Sequence, residues 1–463
     1  MQENPKTVQL SFYGGTTGAL APLLAFVTGA TYLGIAGAPD ERGLWTVLLM
    51  ALGLALLLCR NRERCAEVMI EGMSQPLVLL MIMAWLLAGV FGALLSASGL
   101  VQALAGAAQA VGLQGGMFCA AAFVVACLFS TATGTSLGTI ILCFPLLYPA
   151  GAGSGASPIW LAGAIIAGAT FGDNISPVSD TTIASATTQL AALGDVVSSR
   201  LRYALPAAAA AMLGFVVLGG GEPVTPATST GIDVSALLML AAPAFVLGLL
   251  LRGSHLVVAL AAGIGVALVL AVSGGFIGWS EVVHIDPQAY GARGLLVDGL
   301  DRGVGVSIFT LLLMGIVSVV EHTDLLARFS SGESARTVPA GERQIFGAIT
   351  AACLLTTHSA VAILAVGGAS RRIGVRLGIP ATRRANILDT TVCTYPFLLP
   401  WFIPTILAAN LTATDGVMPR LTALQVGLAN LHSWLLLAIL CAAVFLGYGR
   451  SGGTVGNHGV IRE

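Results

Sequence analysis

From about residue 75 to residue 194 the sequence carries only two charged side chains, Asp173 and Asp180, both inside the stretch ATFGDNISPVSDTTIASATT at 169–188. A carboxylate at the centre of a bilayer costs about 2.5 to 3.5 kcal/mol on insertion scales, so an acid kept there marks a functional position. Its neighbours suit that role. Asp173, Asn174, Ser176, Ser179, Asp180, Thr181 and Thr182 place oxygen ligands within reach of a small cation, and Pro177 breaks the helix that carries them. Half-helix C-termini and unwound carbonyls at mid-membrane attract cations, and half-helix N-termini attract anions. Withdrawal from water favours the neutral form of any carboxylate. One acid can therefore take Na+ and H+ in turn, and their competition would couple the two movements. The plainer reading is that an Asp caps a half-helix. It is weaker for the pair, because Ser or Asn would cap without the charge.

Two further segments are too polar for plain apolar helices. STATGTS at 130–136 brings Thr133, Thr135 and Ser136, a set of hydroxyls that can ligate or serve ordinary small-residue helix packing. CLLTTHSAVAIL at 353–364 brings His358 and Ser359, where the imidazole is a proton site, a substrate contact or a hydrogen-bonded packing residue. A third acid, Asp389, is followed by Thr390 and Thr391, with Trp401 further on. No Arg falls inside a predicted polar break, which argues against a bidentate carboxylate clamp.

Enzymatic motifs are present only in outline. The G-x-S-x-G pattern at 134–138 lies in a span rather than at a strand-to-helix turn. The G-x-G-D signature of intramembrane aspartyl proteases is missing, because Thr170 stands in place of the first Gly. Residues 151–157 resemble a phosphate loop only in composition, since no Lys follows. The eight cysteines lack C-x-x-C spacing, so buried thiols are expected rather than a metal site or disulfides. No enzymatic activity and no cofactor is expected beyond transported or coupling Na+ and H+. The proposed Na+ ligands are Asp173 and Asp180.

The elements that must position these groups follow from composition. The chain has 463 residues, of which 56% are hydrophobic and 9% charged. Soluble domains carry about 25% charged residues, so a water-facing surface cannot be covered and the chain is a multi-span membrane protein. Its apolar runs are of helix length, near 15–37, 43–59, 75–96, 115–149, 157–192, 203–219, 234–251, 255–277, 303–321, 344–369, 386–410 and 430–448. The N-terminus lacks the sections of a signal peptide, so the first span is expected to be retained. A net charge of −1 gives no sign of nucleic-acid binding.

The halves match each other. Cys127-Leu-Phe-Ser-Thr131 aligns with Cys353-Leu-Leu-Thr-Thr357, placing His358 opposite Ala132. Asp180-Thr-Thr182 aligns with Asp389-Thr-Thr391. Two ordered matches indicate duplication. The loop at 149–158 is uncharged, whereas 371–384 holds five arginines and is assigned to the cytoplasm. That asymmetry makes the repeat inverted, and the arginines also suit anionic lipid headgroups. The expected architecture is an all-α polytopic protein with broken or re-entrant helices. It has N-terminal spans in 1–64, a first half in 65–219 with breaks at 130–139 and 171–185, and a polar connector at 220–233. A second half follows in 234–448 with breaks at 356–360 and 386–401, then a tail at 449–463. Residues 323–343 form a second polar loop. In this scheme Asp180 and Asp389 are the symmetric pair. Asp173 has no counterpart and confers ion specificity.

These motifs resemble those of the NhaC-type Na+/H+ antiporters, within the broader ion transporter superfamily. The likeness rests on Thr133-Gly-Thr-Ser-Leu-Gly-Thr139 and on the long block Gly168-Ala-Thr-Phe-Gly-Asp-Asn-Ile-Ser-Pro-Val-Ser-Asp-Thr-Thr182. RRANILDTTVCTYPFLLPW at 383–401 is similar to the family's second-half region. The resemblance implies a homodimeric secondary transporter with scaffold and transport domains, alternating access by an elevator-like motion in a cell membrane, here a bacterial inner membrane. It carries roles onto Asp173, Ser176, Asp180, Thr181, Asp389 and Trp401. Asn174, Leu137, Leu388 and Phe402 depart from the family pattern. The second half has thus diverged where substrate choice would lie. The alternative is a Na+- or H+-coupled symporter or exchanger of a small organic solute, an amino acid or carboxylate. His358, Ser359, Thr394 and Tyr395 would then read its polar groups.

Overall fold

The computed structural model describes residues 9–35, 41–222, 234–287, 290–323, 335–413 and 418–450. The expected connector from 223 onward, most of the polar loop at 323–343 and the tail from 451 lie outside the described residues. Among the described residues the regular structure is helical, apart from two three-residue strands, His284–Asp286 and Gly291–Arg293, paired antiparallel. Among the described residues, seven helices are long and apolar enough to cross a membrane, or eight if the bent pair Ala423–Ala429 and Leu431–Leu446 is one span. Twelve runs of apolar sequence therefore do not become twelve long helices.

The difference arises where the chain doubles back. Gly116–Thr133 ends at Gly134, whose φ of +67° suits a residue without Cβ, and Ser136–Ser154 starts after an extended Thr135. Thr135 caps the second arm by accepting a hydrogen bond from the Gly138 amide at 3.3 Å. At the other end the Gly115 amide donates to the Ser154 carbonyl at 2.8 Å. The predicted span at 115–149 is thus a helical hairpin that leaves by the face it entered, with Gly134 and Thr135 at its tip.

The segment after it is a broken helix. Pro158–Ile175 ends, Ser176 to Ser179 run extended or turned, and Asp180–Gln189 begins. Pro177 explains the stop, because the residue before a proline is driven out of the helical region, as Ser176 is with φ −74° and ψ 130°. The break is tied to the hairpin by the Ser176 hydroxyl, which donates to the Thr131 carbonyl at 2.9 Å. Gly168 and Gly172 let the two helices touch. A Cβ at Gly168 would stand 2.4 Å from the Phe123 carbonyl oxygen, and one at Gly172 2.4 Å from the Ser130 Cβ.

Both devices recur in the second half. Val338–Thr356 and Ser359–Leu377 form a hairpin closed at its base by Arg376, whose Nη2 donates to the Ala335 carbonyl at 3.0 Å. Ala381–Val392 and Ile403–Leu411 flank a longer break containing a single 3₁₀ turn, Tyr395–Phe397.

The geometry changes the register expected from the sequence matches. Thr357 takes the left-handed conformation of Gly134, and His358 is extended as Thr135 is. His358 therefore corresponds to Thr135, not Ala132. Asp389 sits in the last turn of the first half of its broken helix, where its carbonyl accepts the Cys393 amide. Asp173, one residue nearer its break, accepts the Ser176 amide. Asp389 thus shares with Asp173 the last helical turn before a break, four residues before the cap rather than three. Asp180 opens the following half-helix instead, because the first break comes before the Asp-Thr-Thr triplet and the second comes after it.

A large apolar core joins the N-terminal helices, the first hairpin, the first broken helix and Leu295–Glu321. Pro76–Ala97 and Leu295–Glu321 meet through glycines, a Cβ at Gly89 falling 2.1 Å from the Gly299 carbonyl oxygen. A smaller core joins the second hairpin to Ala381–Val392.

Candidate functional site

The two hairpin tips and the two helix breaks meet around one cavity of about 290 Å³. Its polar wall consists of Thr135 and Ser136 from the first tip, Asp173, Asp180 and Thr181 from the first break, and Thr357, His358 and Ser359 from the second tip. The remaining wall is apolar. Leu80, Met81, Ala84 and Trp85 come from Pro76–Ala97, and Val392, Phe397 and Ile403 from around the second break.

Within this wall the two acids differ. Asp173 is nearly buried, and its Oδ1 accepts a hydrogen bond from the Ser179 hydroxyl at 2.6 Å. Ser179 in turn lies 3.0 Å from the Thr181 hydroxyl, and Ser136 faces the same carboxylate. Asp180 is exposed to the cavity and its Oδ1 accepts the Thr181 amide at 2.8 Å, next to His358 across the opening. The Nδ1 of His358 has no hydrogen-bond partner among the described residues. These are the groups that can exchange a cation or proton with the cavity.

Asp389, Thr182 and Asn174 lie behind that wall, in a separate cluster. The Asp389 carboxylate is fully buried, accepts the Thr182 hydroxyl at 3.0 Å, and is ion-paired with Arg200. Arg200 also donates to the Asn174 carbonyl, to the Thr182 hydroxyl at 2.8 Å and to the Asn386 side-chain oxygen at 3.1 Å. No arginine lies in the sequence of either break, yet the Arg200 side chain reaches into both from Leu193–Leu218. The sequence does hold a signal for it. Arg200 falls four residues after Val196 and four before Ala204, on the buried stripe of Leu193–Leu218, whereas Arg202 is exposed.

The other expected site residues have local roles. Thr133 and Thr391 hydrogen-bond to the carbonyls of Phe129 and Ile387 on their own helices. Ser176 binds the first hairpin. The Thr390 hydroxyl is buried without a partner among the described residues. Trp401 packs beside Phe402 and is not part of the cavity wall. Two of the five arginines assigned to the cytoplasmic loop are buried instead. Arg383 binds Glu342 at 3.0 Å, and Arg384 binds the Gln189 side chain at 2.9 Å.

Comparison with known proteins adds to this geometry. A 100-residue segment is 39% identical to an uncharacterized protein of Haemophilus influenzae, covering 21% of this chain and 19% of the relative. A 104-residue segment is 36% identical to the malate-2H+/Na+-lactate antiporter of Bacillus subtilis, covering 22% of each. The matched segments thus span about a fifth of these curated relatives. A family model described as the Na+/H+ antiporter family matches residues 15–220. The matched stretch holds both acids of the cavity, Asp173 and Asp180.

Proposed function

We propose that the protein is a secondary active transporter of a cell membrane that exchanges Na+ for H+ by alternating access, with Asp173 as the exchanging carboxylate and Asp180 beside it. The observation that carries this reading is the placement of Asp173 at a helix break, nearly buried, hydroxyl-bonded and facing a cavity shared by both hairpin tips. Na+ or a proton satisfies the same carboxylate, so loading one displaces the other. No cofactor enters the scheme. A bacterial inner membrane, a homodimer and an elevator-like displacement of the hairpins are part of the same proposal.

A second reading is favoured by the cavity itself. Its volume and its mostly apolar wall exceed what a bare ion needs and approach those of small-molecule sites. With the Bacillus subtilis relative named for malate and lactate, this supports co-transport of a small organic solute, read by His358 and Ser359.

One experiment separates them. The protein is reconstituted in proteoliposomes with a pH dye inside, and Na+, K+ and Li+ are added outside, followed by organic acids and amino acids. Proton efflux on Na+ alone is the expected result. Silence until an organic solute is present gives the second reading. Silence throughout removes both.

A further inference from the structure

Arg200 is fully buried, lies outside the cavity wall and is not needed by the exchange at Asp173. We propose that it is the tethered occupant of a second cation site, so that of the two acids that end half-helices only Asp173 meets the transported ion. The inference rests on the cation-exchange reading above.

Asp173 and Asp389 both lie in the last turn of a half-helix, three and four residues before its cap, and each receives a hydroxyl, Ser179 for the first and Thr182 for the second. The surroundings of Asp389 are those of a cation site. They comprise its own carboxylate, the Asn174 carbonyl at the C-terminal end of a half-helix, and the Thr182 hydroxyl. A guanidinium normally grips a carboxylate with two nitrogens in a fork. Here the carboxylate is met by one nitrogen, Nη1, which also lies against the Asn174 carbonyl and the Thr182 hydroxyl, while Nε turns away to the Asn386 side chain. Nη2 is left without a hydrogen-bond partner among the described residues. The site therefore fits the charge better than it fits the shape of the guanidinium. With Arg200 in place the negative charge of Asp389 is neutralised from within, and the second half contributes no exchangeable ion.

The test is equilibrium binding of Na+ to the purified full-length protein in lipid nanodiscs. Arg200→Gln leaves Asp389 and its oxygen neighbours intact, and is expected to bind roughly one Na+ per chain more than the wild type. Adding Asp389→Asn to that variant should remove the extra ion. A folded Arg200→Gln protein that binds no more Na+ than the wild type overturns the proposal. A second measurement covers the case in which this variant does not fold. The Arg200→Gln/Asp389→Asn protein should unfold at a higher temperature than either single variant, because neither charge is then left alone. Losses that simply add overturn the pairing. The exchange reading is judged separately, on the wild type: a wild type that binds no Na+, beside an Arg200→Gln variant that does, removes the antiporter and keeps the occupied second site.

Discussion

Asp173 and Asp180 stand seven positions apart in the sequence, yet only Asp173 is both nearly buried and bonded by a side-chain hydroxyl. A hydrogen bond to a charged group is worth about 1.5 to 3 kcal/mol. Asp173→Asn keeps the shape but removes the group that carries Na+ and H+ in turn, so Na+-driven proton efflux should be lost. Ser179→Ala should cost less, because Ser136 also faces the carboxylate. Wild-type efflux in the Asp173→Asn protein would rule out Asp173 as the exchange site. A different acid serves stability. Glu342 is 1% exposed and holds two arginines, Arg383 at 3.0 Å and Arg450 at 2.6 Å. Breaking a buried pair by removing one partner costs about 3 to 5 kcal/mol. Glu342→Ala should therefore lower the unfolding midpoint markedly, read by a thermal melt in detergent, without touching the cavity.

At the scale of elements, the two hairpin tips share a backbone but not a residue type. Gly134 needs its missing Cβ twice, for its positive φ and because a Cβ would lie 2.6 Å from the Val178 Cγ2 in the adjacent break. Thr357 occupies the matching left-handed position at φ +51° with a β-branched side chain. That conformation costs an L-residue about 1 to 2 kcal/mol, so Thr357→Gly should stabilise the protein by about 1 kcal/mol in a denaturation series. Gly134→Thr should do the opposite and weaken transport, because the tip would be pushed off the break. The breaks themselves were readable from Pro177, Gly134 and the clustered hydroxyls. Their register was not. The Asp-Thr-Thr triplet matches in sequence, but equivalence in space depends on where each chain leaves the helix, and the first half leaves it at Ser176 while the second continues to Val392.

At the scale of the molecule, the cavity is bounded on one side by Pro76–Ala97 and on the other by tips and breaks from both halves. Alternating access requires those surfaces to part. Cysteines placed at Ala84 and Ala360, in a background freed of the native thiols and joined by a short bifunctional reagent, should arrest exchange, with activity retained when either cysteine is alone. Continued transport by a fully cross-linked protein would count against a moving second hairpin.

Hydropathy, helix breakers and isolated acids are local properties, so the amino-acid sequence alone determined that this is a helical membrane protein, where its helices fail, and that Asp173 and Asp180 stand at one of those failures. Local patterns carry no account of which helix stacks on which. The folding back of each hairpin, the placing of Asp173 and Asp389 each in the last turn before a break, and the burial of Arg200 between two half-helices from different halves were decided by tertiary packing. Arg200 makes the reason plain. In the sequence it is one of two arginines beside a span. Only the approach of Ala381–Val392 turns it into the counter-charge of a buried acid.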